Sequence, residues 1–461
     1  MYDVIIIGGG PAGYLAAERL GHRGKKVLLI EKQHLGGTCL NAGCIPTKTL
    51  LNSAKQYLHA QDGQFGVHAE KVSFNLSEMM AWKEKVVGNL RGGLASQMKR
   101  FKVETLSGTG IVEVQGSFRG VRFVKEGEPG SGVLYETKAI LAAAGSVPVL
   151  PPIPGTEGNS KLIDSTGILS VSGIPAKLCI IGGGVIGAEF ASLFGMLGSE
   201  VSVVEMMDEI IPPMDKDHAP LMRKALRNTG FHLGCRVTRI EGGNVFFTDK
   251  DGTAGTLAAD MVLMAVGRRA EIASWGAKEA GIDVTGKGVT VDNRMRTNIS
   301  GIWAAGDVNG RSMLAHSAYR MAEVAVNDIC AWLEGADSKD FMRYNAVPWA
   351  VYSNPEAAGA GITEQEALSR GIAIRTASAP MYMSGRFLAE NIPGAPGTVK
   401  VIADERSGVL LGVHILGPYA PEMIWGAAAL IENEMRIDDV KELVFPHPSV
   451  CEIIREAVWN F

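Results

Sequence analysis

One stretch of this chain occurs twice, and that duplication constrains the fold more than any other feature. Residues 6–31 read IIGGGPAGYLAAERLGHRGKKVLLIE and residues 180–205 read IIGGGVIGAEFASLFGMLGSEVSVVE. At an offset of 174, Gly8, Gly10, Gly13, Gly21, Gly24, Val27 and Glu31 match Gly182, Gly184, Gly187, Gly195, Gly198, Val201 and Glu205. So long a period marks duplication of a whole folding unit rather than a solenoid. Each copy reads as strand, glycine-rich turn, helix, strand. Residues 4–7 and 178–181 are short apolar runs bounded by glycine, as buried parallel strands are. Helices are expected from about Pro11 and Val185, and second strands at 26–30 and 200–204.

In each copy the G-x-G-x-x-G pattern follows a strand, opens a helix and has a glutamate 23 residues after its first glycine. That context makes it a dinucleotide-binding signal. Gly8 and Gly182 suit the tight turn, Gly10 and Gly184 let a pyrophosphate approach the backbone, and Gly13 and Gly187 permit close helix–strand packing. The pyrophosphate belongs on the helix N-terminus, where N–H groups and the dipole favour an anion. Glu31 and Glu205 are placed to accept adenosine ribose hydroxyls. Two glycine-tolerant turns without ligands are the alternative, and the completeness of both copies argues against it. Two sites imply two dinucleotides. No Lys or Arg occurs between Ser199 and Asp215, so a 2′-phosphate would meet Glu205, Asp208 and Glu209; the second site is expected to prefer NAD over NADP.

At 461 residues the chain has room for three or four domains. The segment VPVLPPIPG at 147–155 is a candidate boundary. With 45 basic and 49 acidic residues, net −4, nothing suggests a nucleic-acid or anionic-membrane surface. No run of 18 apolar residues and no signal-peptide pattern occurs, which leads to the expectation of a soluble cytoplasmic chain unless a targeting segment has been trimmed.

Of six cysteines only Cys39 and Cys44 are close neighbours, within GGTCLNAGCIPTK at 36–48. Pro46 is expected to open a helix continuing over 47–55. A cysteine at a helix N-terminus has a lowered pKa, because the dipole stabilises thiolate, and Lys48 lies one turn beyond Cys44. A zinc half-site or an inert buried pair are the alternatives; zinc needs further ligands, and no second Cys/His pair at zinc spacing occurs in the sequence. A redox-active disulfide is the reading favoured. Towards the other end, His447 lies between Pro446 and Pro448, with Pro448 suited to the first position of a helix, and Glu452 follows five residues later. A His–carboxylate pair makes a general base for a thiol near neutral pH. His316 has no carboxylate nearby in sequence and is read as structural.

GGTCLNAGCIPTK beside the first dinucleotide motif resembles the class I pyridine nucleotide–disulfide oxidoreductases. The likeness runs over essentially the whole chain. TNISGIWAAGDV (297–308) looks like the family's second FAD segment, in which Asp307 binds the ribityl chain; MLAHSA (313–318), with Ala315, looks like the helix start beneath the flavin pyrimidine edge. AAAGSVP (142–148), with Gly145, and AVGRR (265–269), with Gly267, resemble the crossings between FAD and NAD domains. FPHPSVCE (445–452) resembles the His–Glu signature.

The resemblance implies an α/β fold with two Rossmann-like domains, for FAD and NAD, and a C-terminal α+β dimerisation domain. The implied segments are an FAD domain with the redox disulfide at 1–147, an NAD domain at 148–269, a central domain completing the FAD site at 270–342 and an interface domain at 343–461. It implies tight noncovalent FAD at the first motif, NAD(P) at the second, and Glu189 paired with Lys48 beside the flavin. Glu205 without a nearby cation, a C-terminus lacking a cysteine pair, and GVHILGPYAPEMI (412–424) favour the branch that oxidises dihydrolipoamide. For that branch the catalytic residues are Cys39, Cys44, Lys48, Glu189, His447 and Glu452. The partners are the lipoyl domain of a 2-oxo acid dehydrogenase acyltransferase or a glycine-cleavage lipoyl carrier, and a second copy in a C2 homodimer whose C-terminal domain supplies the histidine. No fused lipoyl domain is expected, because the sequence starts directly at the FAD strand. Phe445, Ala143 and the Gly/Pro-rich 383–398 segment depart from the family pattern. Two rivals are an NADH-dependent reductase of another small disulfide and a non-catalytic redox sensor, which would need no His447–Glu452 pair.

Overall fold

The structure, a computed structural model, describes residues 1–63, 65–116, 118–127 and 132–461. Packing divides the chain into two compact units: Met1–Thr49, Met80–Val149 and Arg268–Arg343 make the first, and Leu50–Met79, Leu150–Gly267 and Tyr344–Phe461 make the second.

The first unit is built on a parallel sheet. Its strands run side by side in the order Glu104–Ser107, Val27–Glu31, Tyr2–Ile7, Val133–Ala142, Ile302–Ala304. Ile5, Ile6, Leu28, Leu29, Ile140 and Leu141 are fully buried. Consecutive residues are covered because both faces of a doubly wound sheet are packed, which is why these strands read as unbroken apolar runs. The first half of Val133–Ala142 also pairs antiparallel with Phe118–Val124, which pairs with Thr109–Gln115. Helix Pro11–His22 packs along helix Ala315–Leu333. Ala12, Ala16 and Leu20 form its buried stripe at four-residue spacing.

The second unit repeats this plan. Its parallel sheet runs Thr229–His232, Glu200–Val204, Lys177–Ile181, Met261–Met264, Leu162–Asp164. Helix Val185–Met196 follows the glycine turn. An antiparallel sheet of Arg236–Glu241, Asn244–Thr248 and Ala254–Ala258 closes a core with Ile181, Val204, Ile240, Phe247 and Met264. The C-terminal part of the unit is a five-stranded antiparallel sheet in the order Trp349–Val351, Ala357–Gly361, Leu410–Leu416, Thr398–Asp404, Ile374–Pro380. Helices Ala420–Glu432 and Glu452–Trp459 back it, and their buried faces share one core with Val401, Val413 and Ile415. The α/β class with two Rossmann-like sheets and a C-terminal α+β domain is therefore the architecture of the chain. Among the described residues no helix is long and apolar enough to cross a membrane.

Candidate active site

The first glycine turn is set by close backbone contacts. Gly8 has φ +101°, and a Cβ there would fall 2.2 Å from the Ala143 carbonyl oxygen. A Cβ on Gly13 would fall 1.8 Å from the Gly8 oxygen. Gly10 caps helix Pro11–His22 without any side-chain cap, so the helix N–H groups face outward. Glu31 accepts the Gly9 N–H at 2.6 Å and the Gln33 N–H at 2.7 Å. A carboxylate has about four lone-pair positions, so two stay available to ribose hydroxyls. Ala315 opens the helix Ala315–Leu333, also without a side-chain cap. Gly145 has φ +75° and no atom within 4 Å of where its Cβ would stand. This uncapped, side-chain-free cradle fits a dinucleotide.

Asp307 begins a short 3₁₀ turn and accepts a hydrogen bond from Ser146 Oγ at 2.5 Å. Arg268 holds this arrangement, donating to Ser146 Oγ at 2.8 Å, to the Ser146 carbonyl at 2.6 Å and to Thr38 Oγ1 at 3.2 Å. Burial pushes the Asp307 carboxyl up, against the pull of Ser146 and Arg268. Arg268 lies inside the AVGRR segment, yet sequence reading did not single it out; its role depends on the pairing of strand Arg268–Ala270 with Ser146–Pro148, a long-range contact.

The cysteines occupy two helices. Cys39 sits in a short helix, Gly37–Ala42, introduced by left-handed Gly36 and Gly37. Cys44 begins the helix Cys44–Asp62, so the expected start at Pro46 and end near Lys55 are corrected at both ends. Proline is accommodated in a first turn, where its missing N–H needs no partner, and the Thr47 N–H already reaches Gly43 O at 3.1 Å. The helix continues because Leu50, Leu51, Ala54 and Leu58 form a buried stripe. The two sulfurs lie within hydrogen-bonding reach of one another. The hydrogen bond to Cys44 pushes the Cys39 thiol upward, burial adds to it, and Lys48 opposes both. Beside them, the hydroxyls of Tyr14 and Tyr319 hydrogen-bond, with ring centroids 5.9 Å apart. Burial is the main force raising both phenols, and the sulfurs add to it. Nothing in the sequence pointed to this pair, because the residues are 305 positions apart.

The second glycine turn has the same construction. A Cβ on Gly182 would meet the Ala265 oxygen at 2.5 Å and one on Gly187 the Gly182 oxygen at 2.0 Å, while Gly184 and Gly267 face open space. Glu205 accepts from Gly183 N–H at 2.6 Å and Met207 N–H at 2.7 Å. The Ser199–Asp215 window does receive a cation from outside: Arg223 grips Glu209 with bonds of 2.7 and 3.0 Å. That guanidinium is committed to a carboxylate. Glu189 is buried, and its carboxylate accepts the Tyr352 N–H at 3.0 Å.

His447 Nδ1 lies 3.0 Å from Glu452 Oε1, while Glu452 Oε2 accepts the Ser449 N–H at 2.9 Å. The Ser449 N–H and then the imidazole hold the Glu452 carboxyl below its ordinary value. An ionised Glu452 makes Nδ1 the protonated nitrogen and leaves Nε2 as proton acceptor. The helix starts at Glu452, not at Pro448 as expected. Its first turn is instead made by the Ile453 and Ile454 N–H groups reaching Val450 and Cys451. His447 is exposed, and next to it lies a groove of about 600 Å³ lined by Trp425, Leu430, Leu443, Val444, Phe445 and Pro446. His316, read as structural, is exposed near the start of its helix.

Residues 2–322 match the family described as pyridine nucleotide-disulphide oxidoreductase, and residues 347–458 match its dimerisation domain. The chain is 37 % identical to the dihydrolipoyl dehydrogenase of Thermus scotoductus, over 99 % of this chain and 96 % of that one. It is 36 % identical to that of Bacillus subtilis, over 98 % and 97 %. Among solved structures, the HOCl-induced flavoprotein disulfide reductase RclA of Escherichia coli superposes with a TM-score of 0.85 at 28 % identity, covering 99 % of both chains.

Proposed function

Since the chain belongs to the pyridine nucleotide-disulphide oxidoreductases, with the FAD and NAD(H) that membership implies, we propose that it oxidises protein-bound dihydrolipoamide to lipoamide and delivers the electrons to NAD⁺. The observation that carries a thiol-oxidising reading is the His447–Glu452 pair, a built general base of the kind a thiol substrate requires. The full-length likeness to dihydrolipoyl dehydrogenases supports lipoamide as that thiol.

In this reading the chain works from its oxidised form, with Cys39 and Cys44 joined. His447 Nε2 takes a proton from one substrate thiol, and the thiolate attacks Cys39. The Cys39–Cys44 bond breaks, and Cys44 leaves as a thiolate held by its helix start and by Lys48. The second substrate thiol, deprotonated in turn, displaces Cys39 and closes the lipoamide ring, leaving the dithiol. FAD, when bound, supplies the two-electron carriage between that dithiol and nicotinamide. Asp307 and Glu31 would hold the flavin nucleotide, Glu205 would hold the NAD ribose, and Glu189 would stand at the nicotinamide end.

We assign the four segments 1–147, 148–269, 270–342 and 343–461 to FAD, NAD, central and interface roles. The match to a dimerisation domain supports a homodimer, and the groove beside His447, with Trp425 and Val444 exposed at its rim, supplies an apolar face for it. The base is then offered to the partner's cysteines, and the lipoyl carrier of a 2-oxo acid dehydrogenase or glycine-cleavage system docks nearby. The likeness to RclA favours a second reading, an NADH-driven reductase of another disulfide. Steady-state NADH formation from dihydrolipoamide, with glutathione as control, separates them: robust NADH formation supports the first reading, and its absence together with NADH-dependent disulfide reduction supports the second.

A further inference from the structure

The loop after the second strand of each copy turns back onto its own glycine motif. In the first copy Gly36 donates its N–H to Gly9 O at 2.8 Å. Gly36 has φ +101°, which glycine adopts without strain. In the second copy the matching bond runs from Ile211 N–H to Gly183 O at 3.0 Å. Ile211 has φ +50°, and a β-branched residue in the left-handed region is an outlier that only its surroundings can hold. Ile210, Ile211 and Met214 are buried, and Ile210 Cγ2 stands 3.0 Å from where a Gly183 Cβ would be. The Met214 N–H bonds to Ile211 O at 2.8 Å.

The loop is anchored from the C-terminal sheet of the same unit. Lys400, on strand Thr398–Asp404, is 3 % exposed, and its Nζ contacts Asp215 Oδ1 at 3.0 Å, Asp217 Oδ2 at 2.5 Å and Glu364. Asp215 is 1 % exposed and also accepts the Glu364 N–H at 3.0 Å. Gln365 adds a bond to Met214 O at 3.0 Å. The three carboxylates are close enough to suit a metal ion, but the ammonium of Lys400 already supplies the cation. A buried lysine paired with carboxylates, one of them buried too, is an unexpected way to fix a surface loop, since apolar packing would serve as well. Its value here is geometric: it fixes Asp215, hence Met214, hence Ile211, hence the carbonyl of Gly183, whose N–H holds Glu205.

We infer that Lys400 is a positioning residue for the dinucleotide site of the second motif, clamping the 206–217 loop, and with it left-handed Ile211, against Gly183. This rests on the reading that the second motif binds NAD(H). It predicts that loss of the clamp weakens pyridine-nucleotide binding without slowing the sulfur chemistry of the first unit.

The test uses FAD-loaded Lys400→Met, Lys400→Arg and Asp217→Asn proteins. NADH dissociation constants come from fluorescence titration, KM for NAD⁺ from steady state, and the dithiol half-reaction from anaerobic flavin reduction by dihydrolipoamide without NAD⁺. For Lys400→Met the expected result is at least a tenfold rise in Kd and KM for the nucleotide, with the half-reaction within twofold of wild type. Lys400→Arg should restore affinity to within threefold. Asp217→Asn removes only the exposed partner, so it should fold even where Lys400→Met does not, and should raise Kd two- to fivefold. Unchanged Kd in the folded variants, or equal losses in both half-reactions, overturns the inference. A wild-type protein that binds NADH but does not oxidise dihydrolipoamide overturns the substrate reading alone, and one that binds no pyridine nucleotide overturns both.

Discussion

The two copies of the glycine motif share their backbone geometry and differ in what surrounds them. Gly8 and Gly182 have φ of +101° and +105°, and Glu31 and Glu205 each bond the N–H of the middle glycine at 2.6 Å. The helices that follow diverge. Pro11–His22 buries one stripe, Ala12, Gly13, Ala16, Ala17 and Leu20, leaves Arg19 and His22 exposed and half-buries the rest. Val185–Met196 buries every residue from Gly187 to Met196, including Glu189 and Ser192, which accept the Tyr352 and Asn354 N–H groups. The motif dictates the turn; the chain added after it decides the chemistry. After the first copy come Gly36, Gly37 and the cysteine helix. After the second comes a loop held by buried charge.

If that division of labour is right, the largest effect comes from the sulfur side. Cys44→Ser should lower turnover by roughly 10³-fold or more, as removal of a covalent catalyst does, while NADH affinity stays within twofold. Steady-state rates beside an NADH titration check it, and a parallel fall in both would erase the distinction between the copies.

The adenosine end of the second copy gives the next effect. Glu205 opposes a 2′-phosphate by charge and suits a ribose diol by hydrogen bonding, so kcat/KM for NAD⁺ should exceed that for NADP⁺ by roughly 10²-fold or more. Equal efficiencies would mean that Arg223 releases Glu209 to meet the phosphate.

The strands, the turns and both glutamates were legible because they follow from local pattern: apolar runs, glycine spacing and a fixed distance to the acid. The His447–Glu452 contact was legible for the same reason, with the partners five positions apart. The helix starts near Cys44 and Glu452 were misplaced because a proline marks any position of the first turn and its identity does not say which. Arg268, the Tyr14–Tyr319 pair and Lys400 were missed because each meets a partner across more than a hundred residues of sequence. Such contacts exist only once the sheets have assembled, and no spacing announces them. A lysine in an apolar strand, VKVIAD at 399–404, was the one available hint of a buried cation.

Acid should distinguish the units next. His218 is 3 % exposed, and burial, reinforced by His414 and Lys400 and opposed by Asp215 and Asp217, pushes its pKa down to about 4. A histidine whose folded pKa is depressed contributes fully above the unfolded value near 6.5. Below that, the unfolded chain takes up a proton that the folded chain refuses, and stability is lost as pH falls towards 4. Integrated at about 1.4 kcal/mol per unit, with the unfolded histidine already half protonated at pH 6.5, this amounts to about 1.6 kcal/mol between pH 6.5 and 5, roughly fifteenfold in the opening equilibrium. His22, His34 and His316, the histidines of the first unit, are exposed rather than buried. Hydrogen exchange of residues 177–232 should therefore accelerate on acidification ahead of residues 2–31, and His218→Asn should flatten the difference. Acceleration of both segments together would assign the acid sensitivity elsewhere.

The smallest effect isolates the cradle from the scaffold. Gly10 and Gly184 cap their helices at φ −74° and −69°, values that alanine adopts without strain. A Cβ at Gly184 meets no protein atom within 4 Å, and one at Gly10 meets only Gly37 Cα at an ordinary 3.7 Å. The methyl group of Gly184→Ala therefore costs the fold under about 1 kcal/mol, the usual price of alanine at an N-cap. It occupies the space where a pyrophosphate approaches the backbone. NADH binding should weaken about tenfold, or about 1.4 kcal/mol, with flavin content unchanged. Gly10→Ala should do the reverse, loosening FAD and sparing NADH. Gly187→Ala is the control, since its Cβ would fall 2.0 Å from the Gly182 oxygen and must disturb the protein itself. Thermal melts of the three proteins, with NADH and FAD titrations, decide the matter: if Gly184→Ala lowers the melting temperature as much as Gly187→Ala, its glycine serves packing and not a ligand.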